Sequence, residues 1–134
     1  MGCRGQVKIK DNYGGSVFLY THWGAYKLKE DVAKSMEHRD TSRFKEKCRT
    51  YDPEYFARVI FDRMKEDDTK GVLSYGIGTT EHGDIEQLIT IDCEKKTITW
   101  WKDYDWETYK PIEKSCSFEE FIELTRIEKK GEEE

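Results

Sequence analysis

The sequence predicts an α+β domain: an antiparallel sheet of about five strands with three helices packed on one face, in the order β-β-α-α-β-β-β-α. Three observations predict it. An alternating stretch with Val7 and Ile9 on one face and an apolar run from Val17 to Thr21 flank the turn Asp11-Asn12-Tyr13-Gly14-Gly15, which reads as a β-hairpin. Helical spacing follows at Leu28, Val32 and Met36 and again at Phe56, Val59, Ile60 and Met64. Between Val72 and Trp101, three short β-patterned segments follow one another closely, as in an antiparallel meander. The domain is expected over residues 1–128, with a frayed charged tail over 129–134.

The stretch from Val17 to Leu28 organises the rest, because a strand, a glycine break and a helix start succeed one another there without a spacer. Gly24 permits the sharp change of direction. The arrangement puts His22 and Trp23 at the carboxyl end of a central strand, an edge where sheets covered by helices often hold ligands, with Tyr20 beside them. The first helix is expected over about Lys27 to Glu37, and His38 to Thr50 reads as a polar connection. At Asp52-Pro53-Glu54 a cap, a first-turn proline and an acid suited to the positive helix end start a second helix that runs to about Glu66.

Val72 to Ile77, Ile85 to Asp92 and Thr97 to Trp101 are the next strands, with Thr79 to Asp84 a polar loop and a further strand allowed between Trp106 and Ile112. Ser117-Phe118-Glu119-Glu120 is a capping box, which opens a last helix burying Phe118, Phe121 and Ile122.

Charged residues make up 38% of the 134-residue chain, and 28 acids against 23 bases give a net charge of −5. Apolar periodicity survives between the charges, so the chain is a folded, highly charged domain. Surfaces of this kind, rich in Lys and Glu, are common in heat-adapted proteins, so a thermostable protein is expected. The acidic balance argues against broad nucleic-acid binding. The one local basic run, Arg39, Arg43, Lys45, Lys47 and Arg49, reads as a solvated face. No apolar run approaches the ~18 residues of a membrane span, and no signal peptide is visible. The four cysteines, Cys3, Cys48, Cys93 and Cys116, contain no C-x-x-C pair, which favours reduced thiols in a cytoplasm. Met1-Gly2-Cys3 lacks the Ser or Thr that myristoylation requires at position 6, where Gln6 stands.

Met1-Gly2-Cys3-Arg4-Gly5, the strand ending Tyr20-Thr21-His22-Trp23 and the segment Ser117 to Leu124 together resemble a loose group of short uncharacterised phage, archaeal and bacterial proteins. Those proteins open M-G-x-R-G and carry an aromatic strand ending in a Y-x-H-type tripeptide. The resemblance implies a small cytoplasmic or virus-encoded protein and assigns it no activity.

Three constellations have chemical potential. Cys3, His22 and Asp84 contain the parts of a nucleophilic site, a thiol, a base and an orienting carboxylate, with Arg4 as a source of positive potential. They would suit a small hydrolase or transferase, although Gly2 keeps Cys3 from becoming a terminal nucleophile after methionine removal. His22, His82 and Asp84, with Glu81 nearby, offer imidazole and carboxylate for Zn or Mn, but without the i, i+4 histidine spacing of a helical site. No metal or cofactor is expected. The third is the aromatic run Trp100-Trp101-Lys102-Asp103-Tyr104-Asp105-Trp106, continued by Tyr109. Strand alternation cannot bury both Trp100 and Trp101 on one side, so at least one large aromatic faces solvent or covers an edge, and exposed Trp and Tyr interleaved with acids suit a protein partner or a sugar rather than a polyanion. The leading expectation is therefore a non-enzymatic interaction module, binding a protein or itself through Tyr20, Trp23, Trp100, Trp101, Tyr104 and Trp106.

Overall fold

The computed structural model describes residues 3–37, 52–66 and 73–133. The basic run from Arg39 to Arg49 and Cys48 lie outside the described residues. A hairpin of β1 (Gly5–Lys10) and β2 (Ser16–Thr21) leads through a 3-10 turn (Ala25–Lys27) into α1 (Leu28–Met36), then α2 (Pro53–Met64). Four strands follow, β3 (Tyr75–Gly78), β4 (Gln87–Asp92), β5 (Thr97–Asp105) and β6 (Lys110–Ser117), and α3 (Phe118–Glu133) closes the chain.

These strands form one six-stranded sheet in the order β3-β2-β1-β4-β5-β6. Two expectations are corrected here. The sheet is mixed rather than antiparallel, because β4 lies parallel to β1 along its full length, from Gly5 opposite Gln87 to Lys10 opposite Asp92. The described residues form six strands where about five were expected, since the open segment before Ile112 becomes part of β6. The expected meander also divides: β3 pairs with β2, and only β4, β5 and β6 run consecutively. Alternation reports which residues share a face but not which neighbour a strand takes, so a parallel centre and an antiparallel one read alike.

All three helices pack on one face. Val7, Ile9, Leu19, Ile89, Ile91, Ile98 and Trp100 point into it and meet Leu28, Val32, Phe56, Ile60, Met64 and Phe121. Each such side chain, fully buried, contributes ~1.5–3 kcal/mol relative to exposure. Gly5 is needed where the turn after β2 crosses β1: an added Cβ would stand 2.7 Å from Leu28 Cδ1 and 2.9 Å from Ala25 Cβ. The helix signals act as read. The Asp52 side chain accepts from the Glu54 amide at 3.2 Å with Pro53 in the first turn. At α3 the Glu120 amide donates to Ser117 Oγ and the Ser117 amide to the Glu120 carboxylate, both links of the capping box. The backbone expected as a frayed tail stays helical through Glu133. No described helix is long and apolar enough to cross a membrane.

Among the described residues, one element covers the opposite face. β3 and β4 run the same way, so the chain between them must cross the sheet, and residues 79–86 do so over β2 and β1. Gln6, on this face and fully buried, holds the crossing: its Nε2 donates to the Thr80 carbonyl at 3.1 Å and its Oε1 accepts from the His82 amide at 2.9 Å.

Candidate functional site

Two aromatic clusters flank this sheet. The first sits where β2 ends. Tyr20 stacks on His82 of the crossing loop with ring centroids 4.5 Å apart, its hydroxyl is hydrogen-bonded to His22 Nδ1 at 3.4 Å, and His22 meets Trp23 edge-on at 4.2 Å. Backbone order fixes the group: the His22 amide donates to the Ser74 carbonyl at 2.8 Å, and the Gly24 amide to Thr21 Oγ1 at 2.8 Å. Trp23 is half exposed. Tyr20, His22 and Trp23 are thus together at the carboxyl end of β2, with His82 added to them by the Gln6 anchor.

The thiol, base and carboxylate of the nucleophilic set take other partners. Asp84 pairs with Arg4 at 3.1 Å, and His22 is engaged with Tyr20. The Cys3 carbonyl accepts from the Ala25 amide, while burial pushes the Cys3 thiol up in pKa; a hydrogen bond from the Tyr26 backbone opposes this, and the Glu86 carboxylate adds to it. Among the described residues no hydrogen bond or ion pair joins Cys3, His22 and Asp84 to one another. Nor do three or more His, Cys, Asp or Glu side chains among them stand in an arrangement that would hold a metal ion. His82 reaches His22 only by way of Tyr20, and Asp84 is turned to Arg4.

The second cluster is built by the β5–β6 hairpin. The ladder between β4 and β5 ends at Ile89 opposite Trp100, whereas β5 and β6 stay paired out to Asp105 opposite Lys110. Beyond Trp100 the hairpin is therefore a two-stranded arm leaving the sheet. Its root is held by Gln87, whose side-chain amide donates to the Trp101 carbonyl at 3.0 Å and accepts from the Trp101 amide at 2.8 Å.

Trp100 turns inward and is 2% exposed, edge-on to Phe121 at 5.2 Å and under the Lys29 ammonium. It belongs to the core, not to the expected aromatic surface. Trp101 faces the other way. Strict alternation would place Tyr104 on the face opposite Trp101, but the register shifts between Trp101 and Asp103. Trp101 then pairs with Glu113 and Tyr104 with Pro111, two residues apart on β6 and hence on one face. The bulge rephases the strand so that two aromatics share a side. Trp106 extends the strip, its ring 4.7 Å from that of Tyr104.

The turn that ends the arm is locally determined. Asp105 Oδ1 accepts from the Glu107 amide at 2.9 Å and more distantly from Thr108; chiefly through the Glu107 amide, these bonds hold its carboxyl below the usual carboxylate range. Tyr109 has a φ of 59°, a left-handed conformation unusual for a bulky residue, which turns the chain back into β6. Trp106 and Tyr109 are 75% and 74% exposed at this tip, and Ile112 is 46% exposed behind it.

Trp101, Tyr104 and Trp106 therefore share one face of the arm, with Tyr104 and Trp106 in ring contact, Tyr20 and Trp23 form a separate group, and Trp100 joins neither. Gln6 and Gln87 escaped sequence reasoning. A glutamine in an alternating strand gives no sign that its amide will hold a loop or a neighbouring backbone. No protein-family model, curated protein or solved structure matches this chain.

Proposed function

We propose that the protein is a non-enzymatic interaction module that takes a protein partner on the aromatic strip Trp101, Tyr104 and Trp106 of the β5–β6 arm, with Tyr109 at its tip. One observation carries this reading: the bulge after Trp101 puts on a common face aromatics that regular alternation would separate. Bulges re-aim side chains at the cost of ladder hydrogen bonds, and an arm serving only the fold has no need of one here. Large aromatics presented on a two-stranded support lose little side-chain freedom on binding and supply much of the contact energy in protein interfaces. Asp103, Asp105, Glu107, Lys102 and Lys110 around the strip form a polar rim of both signs, suited to a protein surface rather than to a polyanion. A viral or mobile-element origin, which the sequence resemblance implies, fits a module that acts by engaging another protein. The burial of Cys3 beside the Glu86 carboxylate favours this reading over a thiol-based hydrolase or transferase, because together they raise the thiol pKa where catalysis needs it lowered.

The test is quantitative capture from an extract of the encoding organism, comparing the wild type with Tyr104→Ala/Trp106→Ala. The reading expects specific partners retained by the wild type and lost by the double variant, with unchanged far-ultraviolet circular dichroism. Equal capture by both proteins refutes it.

A further inference from the structure

The sheet has two edge strands, and they are treated differently. β6 carries Lys110, Pro111, Glu113 and Lys114, residues that discourage a further strand from adding. β3 carries none. From Leu73 to Thr80 the chain reads L-S-Y-G-I-G-T-T, without a charge or a proline, and Leu73 and Ile77 are 85% and 64% exposed. Among the described residues nothing pairs with its outer side.

The pairing with β2 decides which backbone groups face outward. The His22 amide bonds the Ser74 carbonyl, so His22 and Ser74 form a hydrogen-bonded pair, and two-residue alternation makes Tyr20 with Gly76 and Phe18 with Gly78 the next ones. The N–H and C=O groups of Tyr75 and Ile77 then point away from the sheet.

We propose that β3 is a self-association edge: it pairs antiparallel with β3 of a second copy about a two-fold axis at Gly76, joining two six-stranded sheets into one. The absence of charge selects this occupant. In a two-fold antiparallel pair a strand meets its own sequence, so any charge at the centre would face its like, whereas β3 meets only neutral residues. The register follows from the same residues. Tyr75 exchanges both backbone hydrogen bonds with Ile77 of the second copy and Ile77 with its Tyr75, which sets an aromatic against a β-branched side chain twice on the helix-bearing face. Gly76 meets itself in the intervening narrow pair, where Cα atoms approach to ~4.5 Å. This contact is small beside the ~1,200–2,000 Å² of a stable interface, so the dimer is weak and depends on concentration.

Gly76 supplies the test. An added Cβ there meets nothing within 4 Å, so a side chain on the open face is compatible with the fold. In sedimentation from micromolar to millimolar concentration, the wild type is expected to rise from 15.9 kDa toward twice that mass. G76K alone and G76E alone are expected to stay monomeric because like charges oppose each other across the axis, and their equimolar mixture to dimerise. Trp106→Ala is expected to dimerise as the wild type does, which separates this edge from the aromatic arm. Amide exchange in the wild type is expected to slow at Tyr75 and Ile77 as concentration rises, a readout that needs no variant. A wild type monomeric throughout, dimerisation of G76K by itself, a mixture that stays monomeric, dimer loss in Trp106→Ala or unchanged exchange at Tyr75 and Ile77 would each overturn the proposal.

Discussion

Asp31→Asn offers a quantitative test of how α1 is held against its neighbours. Asp31 lies in the first turn of α1, 7% exposed, and its Oδ2 has no hydrogen-bond partner. The Lys27 ammonium stands 3.8 Å away, itself donating to the Met64 carbonyl at 3.1 Å and lying over the Tyr75 ring. Burial outweighs that attraction and pushes the carboxyl from 3.8 to about 6. The sign follows directly. Between these two values the folded protein keeps a proton that the unfolded chain has released, so this group's stabilising contribution is complete below pH 3.8 and lost as pH rises through about 6. The move from 3.8 to about 6 corresponds to about 3 kcal/mol once the group is ionised in both states. Asparagine does not titrate. The stability of Asp31→Asn relative to wild type should therefore increase by about 2.5 kcal/mol between pH 4 and pH 7.5, most of it gained before pH 7. Groups remote from Asp31 cancel between the two proteins, so the difference curve reports Asp31 together with the charges it couples to, Lys27 first. Urea unfolding followed by tryptophan fluorescence at four or five pH values measures it. A difference that is flat with pH, or one that moves against the variant as pH rises, would show that the Lys27 pair outweighs desolvation and refute the reasoning.

The two faces of β5 predict opposite responses: Trp100→Ala should lose ~3–5 kcal/mol of stability, and Trp106→Ala should stay within ~0.5 kcal/mol of wild type, both read from urea midpoints. Gln87→Leu leaves the Trp101 amide and carbonyl without their partner at the root of the arm, which should cost ~1–3 kcal/mol and speed amide exchange at Trp101, whereas the strands of the hairpin core stay protected. The Cys3 thiol, its pKa raised, should alkylate more slowly than a free thiol at pH 8 and gain rate at higher pH than an unperturbed cysteine, as mass spectrometry of the labelled protein will show; rapid labelling near neutral pH would revive the nucleophilic reading.

What the chain reveals by itself is mostly local. Asp52-Pro53 and Ser117 to Glu120 mark helix starts because each cap is completed within three residues, and the Asp11 turn is closed by its own carboxylate accepting from the Tyr13 and Gly15 amides. Alternation likewise assigned Ile98 and Trp100 to a common face, and both are buried. What stayed hidden depends on partners distant in sequence. β1 reads as half exposed, yet Gln6 on its supposedly open side is fully buried, because residues 79–86, more than seventy positions away, fold over it. The parallel pairing of β1 with β4 leaves no pattern different from antiparallel pairing. The candidate site divides along the same line. Tyr20, His22 and Trp23 were legible as a group because they follow one another at the end of β2. The common face of Trp101 and Tyr104 was not, since it arises from one extra residue in a ladder whose register no short window of sequence specifies.

The most direct measurement of the central claim places a photo-crosslinking amino acid at Tyr109, on the tip of the arm, and in a second protein at Tyr13, 95% exposed in the β1–β2 turn. Both positions are open to solvent and lie in turns, so they differ chiefly in which surface they probe. Irradiated in an extract of the encoding organism, the Tyr109 position is predicted to yield discrete covalent adducts that disappear in the Tyr104→Ala/Trp106→Ala background, while the Tyr13 position yields none of them. The same adducts from both positions, or adducts from Tyr13 alone, would contradict the assignment of the β5–β6 arm as the partner-binding surface.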